Sequence, residues 1–139
     1  MALDRQTVHA AGAPAAIGAY SHAVRVRLGT GAAASPEGEL LFCSGQIPLD
    51  PQTGELAGAS PAEQARRCLE NLAAVCEAAG TTLARAVRVT VYMTDLSAFV
   101  QVNEVYASFF EQDPPARVAI GVAALPRGAQ VEIDAIVAI

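Results

Sequence analysis

The chain has 139 residues, of which 53% are hydrophobic and 17% are charged. This balance excludes an intrinsically disordered segment, because so much apolar surface must be buried. Nine Lys and Arg residues against fourteen Asp and Glu residues give a net charge of −5, which argues against nucleic acid or an anionic membrane as the main partner. We therefore expect one domain over residues 1–139, with a core that needs neither disulfide nor metal.

The cysteines and the N-terminus indicate the compartment. Cys43, Cys68 and Cys76 are odd in number and show no C-x-x-C spacing, which favours buried, reduced thiols over a disulfide framework or a zinc site. Residues 1–5 show no export signal, and no apolar run approaches the roughly 18–20 residues of a membrane span. We expect a soluble protein in the cytoplasm.

The N-terminal part of the chain is predicted to form strands. Residues 23–28 and 40–44 are apolar enough for two strands, and a short strand near residues 6–10 precedes them. A connection of small residues over Gly29–Gly38 joins the two strands. It is the only low-complexity stretch of the chain.

Local signals predict a first helix from residue 61 to about Ala79. Ser60 is a capping residue, Pro61 stands where the first turn accepts it, and Glu63 completes a capping box. Gly80 follows as a natural left-handed stop. The helix presents one apolar stripe at three- and four-residue spacing, formed by Ala65, Leu69, Leu72, Ala73 and Cys76.

A strand and a second helix follow. Residues 86–93 alternate with period two, so Val87, Val89, Val91 and Met93 are expected on one buried face. The sequence from Asp95 to Ser97 opens a helix that ends before Pro114 and Pro115. Its apolar face is predicted to be core packing by Phe99, Val102, Tyr106, Phe109 and Phe110.

Two strands, over residues 117–124 and 130–139, close the chain. In the second, Glu132 and Asp134 lie on the face opposite Val131 and Ile133. The order of elements predicts an α+β fold in which a mixed sheet carries both helices on one face. The other face would be bare, and together with the low charge content this favours an oligomer.

Motif searches leave few candidates for chemistry. Phosphate-loop, dinucleotide, zinc-protease and hydrolase-elbow motifs do not occur, so a site without metal or cofactor is expected. Gly45 at a strand end permits close approach of a ligand to the backbone, although a simple turn fits equally well. Arg117 heads an otherwise uncharged strand and needs a carboxylate partner, a solvent exit or a ligand.

Four ordered motifs, which together cover nearly the whole chain, resemble the Rid/YjgF family of reactive-intermediate deaminases. The last motif, P-A-R followed by V-A-x-L-P and a V-E-I strand, is the most characteristic. The motifs are Ala13–Ser21, Ser44–Asp50 with Thr53–Glu55, Val102–Tyr106 with Phe109 and Phe110, and Pro115–Arg117 through Leu125–Ile133.

The resemblance implies a chorismate-mutase-like fold, a homotrimer around a central barrel with active sites between subunits, and no cofactor. It implies hydrolysis of 2-imino acids, which exchange with enamines such as 2-aminoacrylate, to 2-keto acids and ammonia. By matching position, three residues are expected to be catalytic: Arg117 holds the substrate carboxylate, Glu132 positions water, and Tyr20 is the tyrosine of the G-P-Y motif. Gly45 and Asn103 line the pocket.

The chain departs from the family pattern at several positions. Ala19 replaces the proline of G-P-Y, and His22 stands where many members have glutamine. Ala119 replaces a cysteine, so only its backbone can contact substrate, and Gly121 stands where some members have glutamate. The Gly29–Gly38 connection is longer than usual.

Two other functions remain open. A trimer could use the same clefts to bind small carboxylates or protein partners without turnover. Some family members are described as endoribonucleases, but the sequence pI near 4.9 disfavours RNA as a substrate here.

Overall fold

A computed structural model describes residues 4–28 and 38–139 of the chain. Six strands and two helices follow one another in the predicted order. The strands are β1 (Arg5–Val8), β2 (Ala23–Arg27), β3 (Glu39–Gln46), β4 (Ala86–Met93), β5 (Ala116–Gly121) and β6 (Val131–Ala138). The helices are α1 (Pro61–Ala78) and α2 (Phe99–Phe109).

The strands form one mixed sheet in the order β1-β2-β3-β6-β4-β5. All neighbours are antiparallel except β4 and β5, which are parallel because α2 carries the chain back between them. The C-terminal strand β6 therefore lies in the middle of the sheet. The prediction of an α+β fold with a mixed sheet is confirmed.

Helix α1 begins and ends where its local signals predict. The backbone N–H of Glu63 donates to Ser60 Oγ over 3.2 Å, and the Ser60 N–H donates to the Glu63 carboxylate, also over 3.2 Å. These two bonds satisfy amides that the first turn leaves free. At the other end Gly80 has a φ of +82°, which glycine adopts without strain.

Helix α2 begins through a short 3-10 turn over Leu96–Ala98. The Asp95 carboxylate accepts a hydrogen bond of 3.0 Å from the Ser97 N–H and so caps this turn. The α-helix itself starts at Phe99, four residues after the capping residue.

Both helices cover the same face of the sheet, as predicted. Helix α1 packs on β3 and β6, and α2 packs against α1. The large side chains that are fully buried in this layer are Leu41, Leu69, Leu72, Val75, Val89, Val91, Met93, Val102, Val131, Ile133 and Val137. The three cysteines are free and buried, which confirms their predicted role as small core residues.

The opposite face of the sheet carries Phe42, Thr90 and Tyr92, together with the cross-strand neighbours of these residues on β6. Phe42 is 43% exposed although its neighbour across the ladder is the apolar Ile136. No helix packs on this side within the part of the chain that the structure describes. A partly apolar sheet face is thus left open.

Two predictions about strand detail were wrong. Val87 is 51% exposed because the ladder between β4 and β6 shifts register between Ala86 and Arg88, which turns Val87 out of the buried row. Strand β5 ends at Gly121 rather than Ala124, after which the Val122 N–H donates to the Met93 carbonyl. Nearly all of the predicted Gly29–Gly38 connection lies outside the described residues.

No helix within residues 4–28 and 38–139 combines the length and apolar character that crossing a lipid bilayer requires.

Candidate active site

A cavity of about 220 Å³ lies where the segment before β2 meets the ends of β3 and β6. Its polar lining comes from Tyr20, Ser44, Gly45 and Glu132. Its apolar walls are Ile17, Ile47 and Pro126. Three residues that the sequence nominated, Tyr20, Gly45 and Glu132, are therefore brought together in one concave surface.

Glu132 projects from the central strand on the face away from the helices. Its neighbours Val131 and Ile133 are fully buried on the helix side, as the period-two pattern predicts. The carboxylate is half-buried, and this burial raises its pKa above the ordinary value, with a further increase from the negative charge of Asp134. A carboxylate in such surroundings is a stronger base than one in water.

Gly45 makes room for the Glu132 carboxylate. A Cβ built on Gly45 would overlap Glu132 Oε1 and would lie 3.1 Å from its Cδ. Strand β3 also changes register between Cys43 and Gln46, which bends its end at this point. A side chain at position 45 would therefore force Glu132 out of its place, which explains a glycine here better than a simple turn does.

The segment before β2 contributes Tyr20. Its hydroxyl accepts a hydrogen bond of 3.2 Å from the Ile17 N–H, so both cavity-lining residues of this segment are linked. The Ser44 hydroxyl donates to the Ser21 carbonyl over 2.6 Å and ties the segment to β3. Tyr20 remains 43% exposed and forms one rim of the cavity.

Arg117 lies elsewhere, beside α2. Its Nη1 donates to Asn103 Oδ1 over 2.6 Å, and its guanidinium carbon lies 4.7 Å from the ring centre of Tyr106 and 5.3 Å from that of Phe99. These contacts hold a planar cation over two aromatic faces. Because Asn103 accepts only one of five guanidinium N–H groups, the others are available to a ligand.

The surroundings of Arg117 decide between the alternatives that the sequence left open. Arg117 is exposed at a second cavity, of about 400 Å³, whose other walls include Asn103, Phe110 and Pro115. Within the described residues no carboxylate lies within ion-pair distance of Arg117. Its charge is satisfied by an amide oxygen, two aromatic rings and a solvent exit.

The two cavities lie on opposite faces of the sheet. Arg117 is opposite the buried Val89 in the β4–β5 ladder and so faces the helices, whereas Glu132 is opposite Tyr92 on the open face. Ala119 follows Arg117 on the helix face, half-buried against the core. A single chain therefore groups Arg117 with Asn103, and Glu132 with Tyr20 and Gly45, but does not join the two groups.

Sequence reasoning missed the walls of both cavities. It assigned Phe99 and Tyr106 only to core packing, although the two rings also support Arg117. Their positions, four residues before and three residues after Asn103, place all three on one helix face and were the available signal. Ile17 and Pro126 lie in irregular segments, where no periodicity could reveal them.

None of the three cysteines, all of which the structure describes, lines either cavity. Burial raises the pKa of Cys68 well above its ordinary value, which keeps its sulfur protonated in the core. No group of three His, Cys, Asp or Glu side chains in the described ranges has the spacing of a metal site.

Comparisons with known proteins match nearly the whole chain, although the matching proteins carry different names. A family model described as Endoribonuclease L-PSP matches residues 10–139. The RutC family protein y4sK of Sinorhizobium fredii is 47% identical over 127 residues, which cover 91% of this chain and 92% of that protein. A Rattus norvegicus protein named 2-iminobutanoate/2-iminopropanoate deaminase is 41% identical over 132 residues, 95% of this chain and 88% of its own. The crystal structure of RidA from an Antarctic Psychrobacter species, 41% identical, covers 96% of this chain and 99% of that chain with a TM-score of 0.82.

Two variants of Tyr106 distinguish the effect of its ring on stability from the effect of its hydroxyl group. Its hydroxyl is buried and has no hydrogen-bond partner among the described residues. Tyr106→Phe should leave the free energy of unfolding unchanged or raise it by up to about 1 kcal/mol, because the ring stays and an unsatisfied polar group is removed. Tyr106→Ala should lower it by about 3–5 kcal/mol. Urea unfolding of both variants measures this, and a clear loss of stability in Tyr106→Phe would show that the hydroxyl has a partner.

Proposed function

The chain belongs to the Endoribonuclease L-PSP family, which is the Rid/YjgF family, and from this membership we propose that it hydrolyses 2-imino acids to 2-keto acids and ammonia. Enamines such as 2-aminoacrylate would enter the reaction by tautomerising to the imine. The observation that carries the proposal is the Glu132 carboxylate, half-buried in an apolar-walled cavity against Gly45. Relatives about 40% identical that are named imino-acid deaminases support it.

Glu132 would act as the base. It accepts a proton from a water molecule whose oxygen attacks C2 of the imine, and the π electrons of the C=N bond move to nitrogen, which takes up a proton. Glu132 gives the proton taken from water to this nitrogen, which regenerates its carboxylate. In the resulting carbinolamine the hydroxyl proton is transferred through Glu132 to the amino nitrogen, a C=O bond forms, and the C–N bond breaks to release ammonia. Free imines hydrolyse in water, so positioning and one base are sufficient, and no cofactor is needed.

Arg117 would hold the carboxylate of the substrate. A guanidinium presents parallel N–H donors that match a carboxylate in two places and fix its plane, so C2 is held in one orientation. The hydrogen bond to Asn103 and the rings of Phe99 and Tyr106 restrict the rotation of the guanidinium before substrate arrives. Ala119 would contribute only backbone groups beside it.

The separation of the two groups supports a site that is shared between chains. Because Arg117 and Glu132 face opposite sides of one sheet, a complete site would combine the Arg117 side of one copy with the Glu132 side of another. Three copies, each closing its open sheet face against the next, would form the homotrimer and central barrel of a chorismate-mutase-like assembly. The exposed Phe42 and Ile120 on this face would then be covered.

The substrate would thus be a small 2-imino acid in the cytoplasm. RNA cleavage, the activity in the family model's description, finds less support because the chain carries a net charge of −5. A trimer that binds keto acids without turnover would show ligand affinity but would not hydrolyse imines. An assay of imine hydrolysis therefore distinguishes such a binding protein from a deaminase.

The test couples an amino-acid oxidase, which generates imino acids, to detection of keto acid with and without this protein. Arg117→Ala should lower kcat/KM roughly 10²-fold, the loss of a charge-assisted two-point contact. Arg117→Lys should recover little, because a point charge does not reproduce the planar fork.

Arg66→Ala is the matched control, since Arg66 also lies over an aromatic ring, that of Phe109 at 5.9 Å, but away from both cavities. It should keep the wild-type rate. Melting temperature and mass are measured on the same preparations. A folded Arg117→Ala protein with wild-type activity would overturn the proposed function.

The acid side of the pH profile tests Glu132. Its pKa is raised by burial and by Asp134, so activity should fall as pH decreases through a value above the ordinary glutamate range, where the base becomes protonated. Asp134→Asn removes the nearby charge, lowers the pKa of Glu132 and should move this acid limb to lower pH. The Tyr92 hydroxyl, 2.9 Å from Asp134 Oδ2, can still donate to the asparagine carbonyl, so the fold should be kept.

Glu77→Gln is the control, because it removes one exposed negative charge from α1 at the other face of the sheet. Its acid limb should coincide with that of the wild type. An acid limb that stays in place in Asp134→Asn would assign the titration to a group other than Glu132.

A further inference from the structure

His22 is buried immediately before β2, at the end of the segment that carries Ile17 and Tyr20. Only 6% of its surface is exposed. The segment from Ala10 to Ser21 has no helix or strand of its own, so its shape depends on individual hydrogen bonds. A buried ring at its end is therefore in a position to determine that shape.

Both ring nitrogens of His22 are used within the segment. The Ala10 N–H donates to Nδ1 over 2.9 Å, and Nε2 lies 2.8 Å from the Pro14 carbonyl oxygen. An amide N–H can only donate, so Nδ1 must accept and Nε2 must carry the proton that goes to Pro14. The hydrogen-bond pattern thus assigns a neutral imidazole with its proton on Nε2.

The His22 ring, with its hydrogen bonds to Ala10 and Pro14, connects the two ends of a loop, and we call this arrangement the clamp. It joins Ala10 and Pro14, in the first half of the loop, to residue 22 at the loop's end. The His22 carbonyl accepts from the Ser44 N–H over 3.0 Å, which fixes the clamp to β3 next to Gly45. The tip of this loop carries Ile17 and Tyr20 onto the cavity that contains Glu132.

We propose that His22 is a positioning residue: its neutral ring holds the loop of residues 10–21 so that Ile17 and Tyr20 close one side of the Glu132 cavity. The inference rests on the proposed function, since the cavity is where imine hydrolysis would occur. His22 does not line the cavity and acts only through the loop.

Three single variants test the clamp. His22→Gln keeps one donor and one acceptor of similar reach, whereas His22→Leu keeps the bulk but leaves the Ala10 N–H and the Pro14 carbonyl unpaired. His22→Leu should lower kcat/KM roughly 10-fold or more, and His22→Gln should stay within about threefold of wild type. His9→Leu is the matched control: His9 is exposed and touches the His22 ring only edge-on, with centroids 6.0 Å apart, so its rate should not change.

A mutant cycle with the double variant Ile17→Ala/Tyr20→Ala distinguishes positioning from general stability. If His22 acts through the loop tip, His22→Leu should cost less than about threefold in the Ile17→Ala/Tyr20→Ala background, because both groups it positions are already gone. If His22 only stabilises the fold, the two losses in rate should multiply. Multiplying losses, or a His22→Leu protein with wild-type kcat/KM, would overturn the inference.

Hydrogen exchange of the Ala10 amide tests the clamp without any assay of activity. Exchange should be slow in the wild type and in His22→Gln, and about tenfold faster or more in His22→Leu while amides of β6 keep their protection. Equal exchange at Ala10 in all three proteins would overturn the clamp. Absence of imine hydrolysis by the wild type, with the Ala10 result as expected, would overturn the proposed function and leave the clamp standing.

Discussion

Strand β6 lies in the middle of the sheet, and its period-two geometry determines where every polar group near it can act. Each of its side chains faces either the helices or the open side. Val131 and Ile133 are committed to the core, so Glu132 and Asp134 must face the other way. The same rule applied to β5 places Arg117 and Ala119 on the helix side. The two charged groups proposed for catalysis are thereby kept apart within one chain.

Close approach of β3 to β6 gives Glu132 its chemical character. Without a Cβ at Gly45 the carboxylate lies against the β3 backbone, loses part of its hydration and gains a higher pKa. Asp134, held by the Tyr92 hydroxyl, adds a negative field from the same strand. The guanidinium group of Arg117 is oriented by the Asn103 amide and by two aromatic rings, and none of these groups neutralises its charge. One cavity therefore contains a carboxylate with a raised pKa, which we propose as the base, and the other contains a cation with free donors.

The sequence predicts best where the determining interactions are local. The Ser60, Pro61 and Glu63 pattern placed the start of α1 correctly, because capping involves residues only three apart. The bounds of β4 were also correct, but Val87 was assigned to the wrong face, since a register shift depends on the partner strand. The close contact of Gly45 with Glu132 joins two strands that are distant in sequence. The hydrogen bonds of His22 hold the loop of residues 10–21, which has no periodicity. Composition and spacing could not reveal either, and the roles of Tyr20, Asn103 and Ala119 came from family resemblance alone.

The most direct test of the central claim, that Arg117 and Glu132 from different copies form one site, is complementation. Arg117→Ala and Glu132→Gln are each nearly inactive in this account, and the two proteins are co-expressed in equal amounts with different tags so that mixed trimers can be isolated. If sites are shared between neighbours, each mixed trimer pairs an intact Arg117 with an intact Glu132 at one of its three sites, and the isolated mixed trimers should have about a third of the wild-type activity. Mixed trimers with no more activity than the two parents would contradict the account.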